Sequence, residues 1–354
     1  MNSGVPKVSV LMAVYNGEKY LRESIESIIG QTFRDFEFVI VDDCSTDSTP
    51  GILAEYANSD QRVRILRNSA NLRLSKSLNV GIAAACGEYI ARQDADDISL
   101  PTRLQQQVEF LHEHPDTLIL GGGVIAIDEN GRELGTYIQL RTDVDIKWNF
   151  LRGTPLNHTT VVVARSALIA VGGYPVAPEF SAFEDGECWA RIARIGKLAG
   201  IPEPLAKYRM HAESLTGGNQ SPVFQSEMTR FGRENFAYLL GGAVDDPIWS
   251  IWTRFTRSPL NPPFTLAEVR KLSALLPNLT TQFYDRYDFD IGEMKSHRRR
   301  VHLKWARRAL SLARQSHPER KFWTRVGCVL LACKLTAVAL GAFRRPGNSA
   351  DRRG

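Results

Sequence analysis

The first 92 residues alternate short, unbroken apolar runs with stretches of helical spacing, and that alternation leaves few folds open. Residues 8–14 read as a strand, and residues 18–29 follow with Leu21, Ile25, Ile28 and Ile29 on one helical stripe. Residues 36–41 repeat the strand signal, and Ile52, Leu53 and Tyr56 mark a second helix. A third strand is expected over 62–66, a helix carrying Leu78 and Ile82 over 75–85, and a fourth strand over 88–92. Strands that are apolar throughout, joined by helices, belong to a parallel sheet covered on both faces, an α/β class. Ligands of such sheets bind beyond the carboxyl ends of the strands. The candidate site is therefore Tyr15-Asn16, Asp42-Asp43, residues 68–73 and Asp94-Ala95-Asp96-Asp97.

The segment after the first strand narrows the chemistry. Tyr15-Asn16-Gly17-Glu18 is not a Gly-x-Gly-x-x-Gly turn, and no Gly-x-x-x-x-Gly-Lys-Ser/Thr occurs, which argues against a nicotinamide dehydrogenase and a P-loop ATPase. The run Arg92-Gln93-Asp94-Ala95-Asp96-Asp97 puts three carboxylates at the end of the fourth strand. Oxygen ligands of this kind suit Mg²⁺ or Mn²⁺ holding a diphosphate, because such ions take one or two carboxylates and fill the remaining positions with phosphate and water. The same cluster could instead cap the helix that begins near Ser99-Leu100-Pro101. Five cysteines without Cys-x-x-Cys or finger spacing indicate neither zinc nor a disulfide framework, and a reducing compartment is expected. No signal peptide is expected from the N-terminal residues.

From Leu118 the texture becomes mixed, with Gly121-Gly122-Gly123, strand-like residues 159–163, a helix around 185–195 and a strand over 205–211 that ends on a histidine. Residues 217–222 read as a loop and a boundary, beyond which the pattern is helical. Residues 291–354 hold 16 Lys/Arg against three Asp/Glu, leaving −8 for the rest of a chain whose net charge is +5. Such a basic appendage suits an acidic partner or an anionic membrane surface. Residues 295–314 place Val301, Trp305, Ala309 and Leu312 on one stripe among arginines and lysines, the pattern of an interfacial helix. Residues 326–343 are apolar but for Lys334, are bracketed by Arg325 and Arg344-Arg345, and reach roughly 27 Å, short of a typical bilayer core. A packed or dimerising helix, an interfacial helix and a span are all open. Nucleic acid is not an expected partner, since no reader motif accompanies the charge.

These segments together resemble glycosyltransferase family 2, the inverting sugar-nucleotide enzymes of GT-A fold, over roughly residues 6–216. The resemblance rests on the opening 6–16, Gln31-Thr32-Phe33, Val41-Asp42-Asp43-Cys44-Ser45-Thr46-Asp47, Asn79-Val80-Gly81-Ile82, Asp94-Ala95-Asp96-Asp97, Glu184-Asp185-Gly186-Glu187-Cys188-Trp189 and Tyr208-Arg209-Met210-His211. It implies that Ala13, Tyr15 and Asp43 serve the nucleotide, with Asp43 accepting from the base and Tyr15 beside it. Asp94 and Asp96 correspond to the family's Asp-x-Asp motif, with Asp96 as metal ligand and Asp94 on ribose or a metal-bound water. His211 corresponds to a contact to the metal or diphosphate, and a structural histidine is the alternative. Arg209 corresponds to a diphosphate partner or a strand anchor. Asp185 corresponds to the general base, with Glu184 the competing assignment. His158-Thr159-Thr160 and Gly172-Gly173-Tyr174 fall on the acceptor side.

The expected architecture is a GT-A domain, Rossmann-like with a mostly parallel mixed sheet, followed by a helical C-terminal region. Its halves are a nucleotide-sugar half (1–105) and an acceptor half (106–220), and the basic helical region is 221–354. The expected activity is Mn²⁺- or Mg²⁺-dependent, inverting transfer of a sugar from a nucleoside diphosphate donor, UDP-linked, to a glycan or lipid-linked acceptor in cell-surface polysaccharide synthesis. The expected location is cytoplasmic, peripheral at the inner membrane face, with homo-oligomers through the C-terminal helices. The alternatives are a catalytically silent sugar-nucleotide-binding or assembly subunit, and a nucleotidyltransferase.

Overall fold

The computed structural model describes residues 4–176, 183–211, 222–256, 264–315 and 322–339. The chain divides into two compact units, Met1–Gly232 and Arg233–Gly354.

In the first unit the four apolar runs form β1 (Val8–Val14), β2 (Phe36–Asp42), β3 (Val63–Arg67) and β4 (Tyr89–Arg92), paired in parallel in the order β3-β2-β1-β4. The connecting helices are α1 (Leu21–Ile29), α2 (Thr49–Ser59) and α3 (Leu74–Ala84). Successive residues of β1 go to opposite cores: Val10 and Met12 pack with Leu21, Ile25 and Ile28 of α1, while Leu11 packs with Leu78 and Ile82 of α3. Burial on both faces is why β1, β2 and β4 carry no polar alternation, whereas the edge strand β3 exposes Arg64 and Arg67, and each fully buried Leu or Ile contributes about 1.5–3 kcal/mol. Gly81 lets α3 lie tight on the sheet, since a Cβ there would sit 2.2 Å from Leu11 Cδ1.

The second half completes a mixed sheet. Its elements are β5 (Ile98–Ser99), α4 (Arg103–Glu113), β6 (Thr117–Ile127), β7 (Glu133–Tyr137), α5 (Asp143–Asn149), β8 (Val162–Ala164), α6 (Arg165–Ala170), α7 (Glu184–Ala193) and β9 (Lys197–Arg209). The sheet runs β3-β2-β1-β4-β8-β6-β9-β5, with β7 paired to β6. Its parallel character is confined to β1–β4 and the β6–β9 pair, while β8, β7 and β5 join antiparallel. β9 is 13 residues long, whereas the strand signal covers only its end. Pro202 and Pro204 break that signal and coincide with register shifts opposite Gly122 and Gly123. A Cβ at Gly123 would stand 2.5 Å from the Pro202 carbonyl oxygen, so the glycine run exists to admit this backbone.

The second unit is helical in its described residues. The helix α8 (Pro222–Leu240) leads into it, followed by α9 (Asp246–Thr256), α10 (Leu266–Arg286), α11 (Ile291–Gln315) and α12 (Phe322–Ala339). Thr265 and Glu268 form a reciprocal capping box that starts α10. Val301, Trp305 and Ala309 of α11 are buried, and Trp305 meets Trp252 edge-on at 6.1 Å. The stripe expected to face a membrane is therefore spent on the helical core; the side chain of Leu312 lies outside the described residues. α12 packs on α10 and α11 through Cys328, Leu331 and Leu335, and Lys334 Nζ donates to the Ser273 carbonyl at 2.8 Å. That bond explains a lysine in an apolar run: α12 packs within the unit, and its ammonium reaches a polar edge. No helix among the described residues is long and apolar enough to cross a membrane. Residues 217–221 and 340–345, expected as loop and helix end, lie outside the described residues, as does the side chain of Arg325.

Candidate active site

Parallel pairing brings the ends of β1 to β4 to one edge of the sheet, and the segments beyond them are tied to one another. Asn16, Cys44 and Arg73 are the non-glycine residues with positive φ among the described residues, and all three lie in these segments. Such backbone costs about 1–3 kcal/mol per residue and persists where the surroundings enforce it, commonly at functional sites. Asp43 supplies one such enforcement. It is buried, Oδ1 accepts from Asn68 Nδ2 at 2.7 Å and the Leu72 amide at 2.8 Å, and Oδ2 accepts from the Arg73 amide at 2.8 Å. A carboxylate offers about four acceptor positions, and Asp43 uses three of them to hold the loop 68–73. Tyr15 is 49% exposed at the end of β1, and Ala13 is partly exposed within it.

The acidic segment after β4 is held from below. Gln93 is fully buried; its Nε2 donates to the Asp97 carbonyl at 2.8 Å and its Oε1 accepts from Ser99 Oγ and Arg103 Nη1. Arg103, also fully buried, donates further to the Arg92 carbonyl at 2.7 Å and to Gln107. Burial and the neighbouring Arg92 charge lower the Arg103 guanidinium to about 9. Each buried acceptor left unsatisfied costs about 1–3 kcal/mol, so Arg103→Met is expected to destabilise the fold by upwards of about 3 kcal/mol, read as a lower midpoint in urea. An unchanged midpoint would show that the segment does not depend on this support.

The carboxylates face three different partners. Asp94 pairs with Arg92 Nη2 at 2.5 Å, Asp96 Oδ2 lies 2.8 Å from His211 Nε2, and Asp97 Oδ1 accepts from the Arg209 amide at 2.7 Å. None caps α4, whose start at Thr102 is separated from them by β5. β5 pairs antiparallel with β9, Ile98 opposite Lys207, and this register delivers Arg209 and His211 to the acidic segment from the far half of the sequence. Burial, then the Asp94 charge, raise Asp96; burial, then Asp96 and Asp94, raise Asp97 well above the usual carboxylate range. Asp96 Oδ2 is a hard carboxylate oxygen of the kind Mn²⁺ and Mg²⁺ take, and His211 Nε2 stands within hydrogen-bond distance of it. No three His, Cys, Asp or Glu side chains among the described residues form a metal group. An ion here would complete its shell with phosphate oxygens and water, as these ions commonly do.

Arg209 is 3% exposed and well occupied. Its guanidinium pairs with Glu23 at 2.5 Å, donates to the Asp96 carbonyl at 2.9 Å and lies 4.4 Å over the Tyr20 ring. These contacts hold Arg209 against α1 and the acidic segment, an arrangement that suits the strand-anchor reading.

Glu184 and Asp185 open α7, whose Cys188, Trp189 and Ile192 sink into the core beside β6 and β8. The Gly186 amide donates to Asp185 Oδ1 at 2.6 Å. Burial raises Asp185 to about 6, with Asp94 adding to the rise; burial and the Asp185 charge raise Glu184 to about 8. Both carboxyls are thus held above the usual carboxylate range by burial, and each acts on the other. Arg92, Gln93 and Arg103 have no sequence signal of their own, because strand position alone does not say that a polar side chain turns inward.

The sequence profile of Glycosyl transferase family 2 matches residues 9–165. The putative glycosyltransferase EpsE of Bacillus subtilis (strain 168) is 35% identical over 246 residues, covering 69% of this chain and 81% of that protein. The amylovoran biosynthesis glycosyltransferase AmsE of Erwinia amylovora is 34% identical over 253 residues, 70% of this chain and 93% of that protein. Among solved structures, S. aureus TarS 1-349 in complex with UDP-GlcNAc aligns over 96% of this chain and 93% of its own, with a TM-score of 0.57 and 18% identity, a likeness of fold.

Proposed function

The chain belongs to glycosyltransferase family 2 and is a glycosyltransferase of GT-A fold, and from that premise we propose that it transfers a sugar, with inversion, from a nucleoside diphosphate donor in a reaction that needs Mn²⁺ or Mg²⁺. The observation that carries this reading is the meeting of Asp96 with His211 at 2.8 Å, from segments 115 residues apart, at the strand ends where Asp43 and Asp94 also stand. Asp43 would accept from the base, and Tyr15 would stack on it, a contact contributing about 1–3 kcal/mol. Asp94 would orient the ribose. Asp96 and His211 would hold the ion, which supplies charge stabilisation for the departing diphosphate. Asp185 would remove the proton from the acceptor hydroxyl as that oxygen attacks the anomeric carbon, and one displacement with one base inverts that centre.

The donor is proposed to be UDP-linked. The acceptor would be a glycan or lipid-linked saccharide in polysaccharide synthesis; the AmsE relative is named for amylovoran biosynthesis. Family membership sets aside the nucleotidyltransferase alternative. The test is calorimetric titration with UDP, TDP and GDP, with and without Mn²⁺. Tight binding of UDP that requires Mn²⁺ is the expected result, and no binding of any nucleotide would move the silent-subunit reading to the front.

Membrane-surface association is proposed on charge. Lys295, Arg299, Arg300, Lys304 and Arg307 lie at the surface of α11, and Val329 and Leu330 are 42% and 64% exposed on α12. Basic side chains near an anionic leaflet contribute about 1 kcal/mol each, screened by salt. The chain is expected to float with phosphatidylserine vesicles at low salt and to be released at high salt; indifference to the vesicles at low salt, with the fold intact, would end this proposal.

A further inference from the structure

One cluster beside the site is built, partly buried and without a role in the chemistry above. The short turn His158–Thr160 precedes β8, and because β8 pairs with β4, His158 is brought to Arg92. Arg92 is 2% exposed, and its guanidinium points in two directions at once: Nη2 to Asp94 Oδ1 at 2.5 Å and Nε to His158 Nε2 at 3.2 Å. The Tyr174 hydroxyl stands 2.9 Å from the same His158 nitrogen. Tyr174 is itself pinned by a double backbone bond, in which Asn79 Oδ1 accepts from its amide at 2.9 Å and Asn79 Nδ2 donates to its carbonyl at 2.8 Å. Trp189 of α7 closes the third side, with ring centroids 6.0 Å from His158 and 5.6 Å from Tyr174.

The donor inventory fixes the state of the imidazole. An arginine Nε–H can only donate, so His158 Nε2 presents its single lone pair, which the Arg92 Nε–H and the Tyr174 hydroxyl share as donors, and the ring proton sits on Nδ1. His158 keeps part of its surface exposed. We propose that Arg92, His158 and Tyr174 form a positioning relay: Arg92 orients the Asp94 carboxylate for the donor and locks His158 as the Nδ1–H tautomer, which donates to a hydroxyl of the sugar in the crevice. The relay joins the two halves of the site, since Arg92 and Asp94 act electrostatically on both Glu184 and Asp185. Burial, and then the Arg92 charge, push His158 down to about 3, against the opposing pull of Asp94, so the ring stays neutral at working pH. Its residues are not acid–base groups of the reaction; they set the geometry in which Asp94 and the sugar meet.

The sugar contact rests on the glycosyltransferase reading, whereas the tautomer does not, and the experiment separates them. ¹⁵N-histidine spectra of the full chain, with the His158 signal assigned by its loss in His158→Gln, should show a bare Nε2 and a protonated Nδ1, unchanged between about pH 5.5 and 8. In Arg92→Lys, which lacks the Nε–H, the signal should become a tautomer mixture. A wild-type His158 that titrates in this range, or that carries its proton on Nε2, overturns the relay. Tyr174→Phe removes only the hydroxyl and is the variant that keeps the fold. It is expected to lower kcat/KM for the sugar nucleotide about tenfold, the loss typical of one buried hydrogen bond, without changing the unfolding midpoint by a comparable amount. Full kcat/KM in both Tyr174→Phe and Arg92→Lys overturns the role in turnover. A locked tautomer in a chain that turns over no sugar nucleotide supports the lock and counts against the proposed function instead.

Discussion

Asp185→Asn is expected to lower kcat by about two to four orders of magnitude while leaving the affinity for nucleoside diphosphate and Mn²⁺ near that of wild type. The magnitude is that of removing a general base that takes a proton in the transition state. Asparagine keeps the shape and can still accept from the Gly186 amide, so the start of α7 is preserved and the loss reports chemistry. Glu184 is the internal control. Burial and the Asp185 charge raise its carboxyl, and burial raises that of Asp185, so the two share the site's first ionisation. A base must be unprotonated, so kcat should fall tenfold per unit as pH drops below about 6 if Asp185 is the base. The two carboxyls titrate as a pair, so the limb belongs to the pair's first ionisation and the two variants assign it. Unreduced transfer by Asp185→Asn, with an acid limb that disappears in Glu184→Gln, would reverse the assignment. Wild-type binding without transfer to any acceptor would favour the silent subunit.

Asp96→Ala is expected to remove the Mn²⁺-dependent part of nucleotide affinity, a loss of at least about 100-fold. Removing a group that only hydrogen-bonds to a metal ligand already costs about 10–100-fold, and Asp96 is proposed to touch the ion itself. The metal-free titration is the control, because contacts to the base through Asp43 and Tyr15 do not involve Asp96 and should survive. The Asp96 side chain keeps a third of its surface and meets His211, so its removal should leave the segment 94–97 in place, held as that is by Gln93 and Arg103. Equal Mn²⁺ dependence in wild type and variant would mean that the Asp96–His211 contact is a structural hydrogen bond. The ion, if used, would then be held elsewhere.

The two largest losses thus fall on residues visible from motif, while the support beneath them is visible only in three dimensions. The apolar runs of β1, β2 and β4 and the helical stripes between them are legible because burial on both faces of a sheet forces composition over whole segments. The strand ends, and with them Tyr15, Asp43, Asp94 and Asp96, follow from parallel connectivity. β9 is half hidden, because Pro202 and Pro204 erase a strand signal that only pairing with β6 restores. The stripe of Val301, Trp305 and Ala309 has the pattern of a lipid-facing helix and is buried in protein, since an amphipathic pattern records that one face is covered but not by what. Arg209 is open between ligand and anchor on sequence, and only the placement of Glu23 and Tyr20 around it favours the anchor.

Sequence alone thus dictates the alternating layers and the edge at which a ligand binds, because local periodicity and connectivity are properties of neighbouring residues. Tertiary packing selects which side chains meet there. His211 reaches Asp96, and His158 reaches Arg92, through the antiparallel pairings of β9 with β5 and β8 with β4. Those pairings are contacts between distant segments whose register no local pattern records.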